Sequence, residues 1–191
     1  MATSTFSLEQ TPINSIRSLP PDTYLVHATN CIGEWGAGIA AELAEVFPAA
    51  CREYKKFCES AKTDASSRWP TRTLAGRCLI ILPQEADVAA GAPRIYIVCV
   101  FTSYGYGQPN DRTGKPGKDN SGKILVQTLT ALKDLRAQLD EGTEAEADIV
   151  LYSPMFNSGA FRVPWEKTVA LIERSFAGWG GRWLVMAPPS M

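Results

Sequence analysis

Histidine is nearly absent from this sequence: the chain of 191 residues contains a single one, His27. The five cysteines form no CxxC pair, and one histidine cannot complete the ligand sets that zinc usually takes. The sequence therefore predicts neither a metal site nor a bound cofactor. The odd number of cysteines and their irregular spacing favour a reducing compartment, so we expect the protein in the cytoplasm, the nucleus or both.

Long apolar runs and an excess of one charge are also missing. The longest apolar run, IYIVCVF, is too short to span a bilayer. The first twenty residues contain neither the apolar segment of a signal peptide nor an Arg-rich amphipathic run. The net charge of −1 provides no broad basic field for nucleic acid. We therefore expect no membrane and no nucleic-acid partner, whereas a small anionic ligand requires only local donors.

What the sequence does contain is an alternation of short apolar runs and segments with helical periodicity. Strands are predicted at 5–8, 23–28, 77–83, 94–101, 148–153 and 182–187. Helices are predicted at 39–47, after Pro48, along the leucine stripe 125–139, and at 165–176. This order predicts one α/β domain over residues 1–191, with helices on both faces of one sheet.

Two loops rich in small residues each follow a predicted strand and precede a helix, at 30–39 and 157–163. Ligands of α/β sheets bind beyond the carboxyl ends of strands, and free N–H groups at a helix start suit a phosphate. The first loop runs GxxGxG and lacks GK[ST], so it is neither a dinucleotide fingerprint nor a Walker A loop. The alternative interpretation is a tight turn whose glycines only relieve crowding.

A third glycine-rich stretch, 104–123, is long for a connection and is interpreted as a lid or a mobile loop. Within it, GKDNSGKI resembles a Walker A motif but ends in Ile where a Ser or Thr would hold Mg²⁺. We interpret it as a loop followed by a helix start.

Several side chains around the first loop have two interpretations each. His27 is either a core histidine or a general acid or base. A nucleophilic Cys31 is less favoured than a buried thiol, because His27 would be its only base. Trp35 either covers a ligand or packs in the turn, and Asn30 either forms a turn or binds ribose hydroxyls.

The two loops resemble those of a known family. HATNCIGEWGAGIA resembles the first binding loop of macrodomains, and NSGAFRVPW resembles the second. Within the family, the residues are most similar to the fungal ADP-ribose 1″-phosphate phosphatases. The resemblance implies a three-layer α/β/α sandwich with a mixed, mostly parallel central sheet.

The resemblance also implies roles for individual residues. His27 and Asn30 would serve catalysis, with Asn30 hydrogen-bonded to the distal ribose. The first loop would wrap the diphosphate, the second would donate from the other side, and Phe161 would pack on the ligand. The predicted substrate-binding set is Trp35, Gly36, Ala37, Gly38, Ile39, Asn157, Ser158, Gly159, Ala160 and Phe161.

The implied activity is hydrolysis of ADP-ribose 1″-phosphate by a monomer whose partners are ADP-ribose derivatives. Two alternatives use the same loops: a non-catalytic module that binds ADP-ribose or mono-ADP-ribosylated proteins, and a mono-ADP-ribosyl hydrolase. The sequence departs from many macrodomains, because Glu9, Gln10 and Thr11 replace the Gly-Asp step that reads adenine. The Lys and Asp of the branch that removes ADP-ribose from glutamate are also absent.

Overall fold

The computed structural model describes residues 6–189. Its strands are β1 (Glu9–Thr11), β2 (Tyr24–Asn30), β3 (Cys78–Ile81), β4 (Tyr96–Ser103), β5 (Val150–Ser153) and β6 (Arg182–Met186). Its helices are α1 (Gly38–Val46), α2 (Pro48–Glu59), α3 (Glu85–Ala89), α4 (Ser121–Glu141) and α5 (Trp165–Ser175). Pro48 separates the first two helices and occupies the first position of α2, where its missing N–H costs no hydrogen bond.

The six strands form one sheet in the order β1-β6-β5-β2-β4-β3. Strand β3 pairs antiparallel with β4, and every other neighbouring pair is parallel. The prediction of a mixed, mostly parallel sheet is therefore confirmed. Because β6, β5, β2 and β4 run in the same direction, their carboxyl ends meet at one edge of the sheet.

Helices cover both faces of the sheet, because apolar side chains along its strands point alternately to one face and the other. Leu25 of β2 belongs to the core that also contains buried residues of α1 and α2. Its neighbour Val26 belongs to the opposite core, with buried residues of α4 and α5. Successive side chains of a strand point to opposite faces, so one strand serves both cores. The result is the predicted three-layer arrangement.

Three local predictions differ from the structure. The edge strand predicted at 5–8 is instead β1, three residues long, which is defined by its pairing with β6; Thr5 lies outside the described residues. Strand β2 continues to Asn30 because Thr29 and Asn30 still pair with β4. Helix α3 was not predicted, since one turn shows no periodicity. Its Asp87 carboxylate accepts hydrogen bonds from two main-chain N–H groups at the start of α2.

Within residues 6–189, no helix combines the length and the apolar character needed to cross a membrane.

Candidate functional site

A cleft of about 860 Å³ lies at the carboxyl edge of the sheet, between the first and second loops. The loops face each other because they follow β2 and β5, which are neighbours in the sheet. The volume is typical of pockets for small molecules and cofactors. Of the predicted site residues, all except Trp35 line this cleft: His27, Asn30, Gly36, Ala37, Gly38, Ile39, Asn157, Ser158, Gly159, Ala160 and Phe161.

The first loop ends in an uncapped helix. Ala37 occupies the N-cap of α1 and provides no side-chain hydrogen bond, and alanine is a poor residue at that position. Among the described residues, the main-chain N–H groups of 36–40 have no hydrogen-bond partner. Gly38 adopts a φ of 58°, a left-handed conformation that favours glycine. The start of α1 therefore presents several free donors, and the helix dipole adds partial positive charge.

The second loop presents donors from a turn instead of a helix start. The N–H groups of Gly159, Ala160 and Phe161 have no partner in the part of the chain that the structure describes. The hydroxyl of Ser158 donates to the main-chain oxygen of Met155, which leaves it engaged within the loop. Phe161 is buried against Ile124 and contributes an apolar wall to the cleft.

Asn157 ties the second loop to the rest of the fold. Its Oδ1 accepts from Thr102 Oγ1 at 2.8 Å, and its Nδ2 donates to Thr128 Oγ1 at 2.9 Å and to Thr168 Oγ1 at 3.4 Å. These threonines belong to β4, α4 and α5. The residue is buried with a φ of 68°, a conformation that asparagine tolerates better than most residues. Its side-chain polar atoms are therefore engaged with protein.

The Asn30 side chain forms hydrogen bonds to main-chain groups of its own loop. Its Oδ1 accepts from Ile32 N at 3.1 Å and from Glu34 N at 3.3 Å, and its Nδ2 donates to Glu34 O at 2.8 Å. The Tyr54 hydroxyl lies 2.9 Å from the same Oδ1. An amide nitrogen carries two hydrogens, so one N–H of Asn30 remains for a ligand. The predicted ribose contact is limited to that single donor.

His27 is fully buried and faces the core beneath the first loop. Its Nε2 lies 3.6 Å from Cys99 Sγ, and the Trp35 ring packs against it edge-on with 5.2 Å between centroids. Its Nδ1 has no hydrogen-bond partner among the described residues. Burial lowers the pKa of His27 to about 4, so the imidazole is neutral at pH 7. A protonated His27 is thus not available as a general acid at neutral pH.

Trp35 and Cys31 belong to the core beneath the cleft. Trp35 is 5% exposed and stacks on Tyr54, with 4.8 Å between ring centroids, and it is not among the cleft-lining residues. This packing agrees with the interpretation of Trp35 as an aromatic packed in the turn, and its contact with a ligand stays a prediction. Cys31 is completely buried and donates to Ser103 O, and burial raises the pKa of its thiol. The interpretation of Cys31 as a structural thiol agrees with this environment.

Sequence reasoning missed two polar residues that close one end of the cleft. The Tyr106 hydroxyl donates to Glu34 Oε2 at 3.0 Å, and both residues line the cleft. This contact, which we call the Tyr106–Glu34 bridge, joins the first loop to the segment after β4. The two residues are 72 positions apart in sequence, so no local motif signals their contact. The opposite end of the cleft, beyond β6, is lined by Asn14, Ile16, Met186, Ala187, Pro188 and Pro189.

The glycine-rich stretch after β4 is anchored rather than free. Asp119 accepts hydrogen bonds from Tyr104 N, from Gln127 and, at 2.9 and 3.0 Å, from Arg72. Burial alone would raise the pKa of the Asp119 carboxyl. These donors stabilise its charged form and hold its pKa below the usual value. Earlier in the stretch, Lys115 Nζ donates to three main-chain oxygens of the same stretch. These anchors argue against the interpretation of a mobile loop.

The Walker-like run in this stretch is a loop followed by a helix start, as predicted. Asn120 caps α4, because its side chain accepts from Lys123 N. Within residues 6–189, no group of three or more His, Cys, Asp or Glu side chains is placed to hold a metal ion. The absence of a metal from the function stays a prediction.

The electrostatic character of the cleft comes from main-chain groups. None of its lining residues within the described chain is a lysine or arginine. The ionisable side chains that line it are His27, Glu34, Glu42 and Tyr106. An anion bound here would therefore depend on the N–H groups of the two loops, whose donors need no side-chain charge.

The sequence is similar to curated fungal proteins named ADP-ribose 1″-phosphate phosphatase. The Aspergillus fumigatus protein is 33% identical over 174 residues, covering 81% of this chain and 83% of that protein. The Scheffersomyces stipitis protein is 35% identical over 169 residues, covering 82% and 87%. The Debaryomyces hansenii protein is 33% identical over 157 residues, covering 78% and 80%. No protein-family model matches the chain.

Solved structures with a similar fold include macrodomains. The macrodomain of Mycobacterium tuberculosis DarG has a TM-score of 0.65 and 18% identity, with 97% of this chain and all of that chain covered. Thermosipho africanus DarTG in complex with ADP-ribose has a TM-score of 0.57 and 13% identity, with 87% of this chain and 38% of that chain covered. At these identities the likeness establishes the fold alone.

Proposed function

The chain belongs to the macrodomain family, in the branch of the ADP-ribose 1″-phosphate phosphatases, and we propose that it hydrolyses ADP-ribose 1″-phosphate to ADP-ribose and inorganic phosphate. The observation that carries this proposal is the opposition of two sets of free main-chain donors across one cleft, at 36–40 and 159–161. A diphosphate offers acceptor oxygens on both sides, so it suits such an arrangement. A single phosphate would engage one wall only.

The two ends of the cleft suit the two ends of this substrate. Beyond β6, Ile16, Met186 and Pro188 provide apolar surface that fits an aromatic base. Beyond β4, Asn30 and Tyr106 provide polar groups for the distal ribose, and Glu34 lies beside them. We therefore orient the adenine toward β6 and the 1″-phosphate toward β4.

Positioning would provide a large part of the rate. The diphosphate held by the loops fixes the distal ribose, so the 1″-phosphate meets water in one orientation. Charge that develops on the phosphoryl oxygens would be stabilised by main-chain donors that are already fixed in place. Asn30 supports this role by holding residues 32–34 in shape, and His27 supports it as a neutral side chain beneath the loop.

The decisive experiment combines two measurements on one protein: calorimetry with ADP-ribose, and phosphate release from ADP-ribose 1″-phosphate. We expect binding and turnover by the parent, with turnover persisting in excess EDTA. ADP-ribose binding without phosphate release would contradict the phosphatase and leave a binding module. Loss of turnover in EDTA, restored by Mg²⁺, would contradict the prediction of metal independence.

Substitutions that place a carboxylate among the donors test the site. Gly36 lacks a positive φ, and a Cβ built on it or on Gly159 meets nothing within 4 Å. Gly36→Glu and Gly159→Glu should therefore fold, and each should lower ADP-ribose affinity by about 100-fold or more, since two like charges 4 Å apart repel by roughly 4 kcal/mol near a protein surface. Ala41→Glu is the matched control, because Ala41 is an exposed residue of α1 outside the cleft. Equal affinity of all three variants would place the ligand elsewhere.

A further inference from the structure

The Tyr106–Glu34 bridge closes the end of the cleft where the proposed function places the reacting phosphate. It spans from the first loop to the segment after β4 through one hydrogen bond of 3.0 Å. Glu34 is exposed and Tyr106 is half-buried, so solvent and ligand can reach the contact. A carboxylate at this place is unexpected in a site built for anions, because it repels the ligand that the loops attract. Its presence calls for a chemical role.

The ionisable groups of the cleft leave few candidates for moving a proton. His27 has no surface exposed to solvent, and burial lowers its pKa to about 4, so it is a weak base that the hydrolytic water does not reach. Glu42 lies with Asn14 and Ile16 near the β6 end, and its carboxylate is 3.9 Å from Arg17. Glu34 is the carboxylate at the β4 end, in the turn that leads directly to the free donors of α1.

We propose that Glu34 is the general base that takes the proton from the hydrolytic water, and that Tyr106 is a positioning residue that holds its carboxylate over the phosphate. This inference rests on the proposed function and adds the group that performs its proton transfer. The water oxygen forms a bond to phosphorus while the bond from phosphorus to O1″ breaks, and its electron pair leaves with O1″. The proton passes from water to Glu34 and then to O1″, so the carboxylate is regenerated.

Tyr106 is well placed for this task because its own position is fixed. The Lys115 ammonium lies 4.0 Å from the centroid of its ring and donates to its main-chain oxygen. The ring also packs against the apolar cluster of Ile124, Phe161 and Val163. Burial and the adjacent Glu34 raise the pKa of Tyr106, so the phenol remains a donor at neutral pH. A carboxylate that accepts this hydrogen bond has one orientation instead of many.

The test compares Glu34→Gln and Tyr106→Phe with a matched pair far from the cleft. Tyr24 and Glu144 form another phenol–carboxylate hydrogen bond, 2.9 Å long, at the amino end of β2. Glu34→Gln should lower kcat by about 100-fold or more, the usual scale for a positioned base, with ADP-ribose affinity within a few-fold of the parent. Tyr106→Phe should lower kcat by about 10-fold with KM nearly unchanged, as loss of one orienting hydrogen bond predicts. Glu144→Gln and Tyr24→Phe should keep parental kcat.

The direction of the change in kcat separates a base from a merely repulsive charge. If Glu34 acts only by repelling phosphate, Glu34→Gln should bind substrate more tightly and turn over at least as fast as the parent, which would overturn the inference. A parent without phosphatase activity would instead contradict the proposed function, and the two failures are distinguishable.

Discussion

The two loops that wall the cleft each begin with a buried asparagine, but they are built differently. Asn30 bonds mainly to main-chain groups two and four residues later in its own loop, with one further contact to the Tyr54 hydroxyl of α2, whereas Asn157 bonds to threonines of β4, α4 and α5. The first loop is therefore shaped mainly by local contacts, and it leads into the helix start that presents the free donors. The second is a turn whose shape depends on three distant elements.

This difference assigns separate tasks to the loops. The first loop combines the free donors of α1 with its dipole, and it rests on His27, Trp35 and Tyr54. In the second loop Arg162 is exposed, and Asn157 links the loop to both the sheet and the helices of one face. We infer that the first loop is sensitive to acid and to backbone strain, and that the second is sensitive to loss of its anchor.

Acid should produce the largest effect, acting through the residue beneath the first loop. Burial lowers the pKa of His27 to about 4 from an ordinary value near 6.5. Between those values the unfolded chain binds a proton that the folded chain does not. Stability is therefore undiminished by His27 above about pH 6.5 and declines as the pH falls toward 4, by roughly 3 kcal/mol in total. Urea unfolding at pH 7 and pH 4.5 measures the decline.

His27→Gln is the control for this pH dependence, because glutamine does not titrate. The variant is expected to be less stable than the parent at pH 7 but to lose less stability on acidification. Parallel pH dependence in the two proteins would mean that His27 is protonated in the folded state. Because burial lowers the pKa of His27 to about 4, any change in activity between pH 6 and 7 should come from a group other than His27.

Loss of the second anchor should have the next largest effect on stability. Asn157→Ala removes the partner of three buried threonine hydroxyls and places alanine at a φ of 68°, so we expect a loss of roughly 2 to 3 kcal/mol. Asn30→Ala leaves main-chain groups of one short loop unpaired and should cost about 1 kcal/mol. Denaturant midpoints of the two variants give the comparison directly.

A third variant, Asn157→Gly, separates the two contributions at this position. Glycine accepts the positive φ without strain, so any destabilisation that remains reports the lost hydrogen bonds. If Asn30→Ala proves more destabilising than Asn157→Ala, the distinction between a local and a distant anchor is wrong.

The same distinction explains how far sequence reasoning could go. The free donors of α1 follow from a glycine run before an apolar stripe, which is local information, and the order of strands and helices predicted the fold. The engagement of Asn30 with Tyr54, the burial of Trp35 beneath the loop and the Tyr106–Glu34 bridge could not be predicted, because each joins residues that only the folded chain brings together.

The smallest effect, and the finest test of the first loop, compares two of its glycines. Gly36 and Gly38 both have open space where a Cβ would lie, but only Gly38 has a positive φ. Gly38→Ala should lower the free energy of unfolding by about 1 kcal/mol, the cost of a left-handed alanine. Gly36→Ala should leave it unchanged or raise it by a few tenths of a kcal/mol, because alanine restricts the unfolded chain more than glycine does. Equilibrium unfolding of both variants at pH 7, where His27 is mostly neutral in both states and contributes equally to the two variants, isolates the backbone contribution. If both substitutions change the free energy of unfolding equally, the left-handed turn at Gly38 does not set the start of α1. The hydrogen bonds of Asn30 would then be what positions the donors of the first loop.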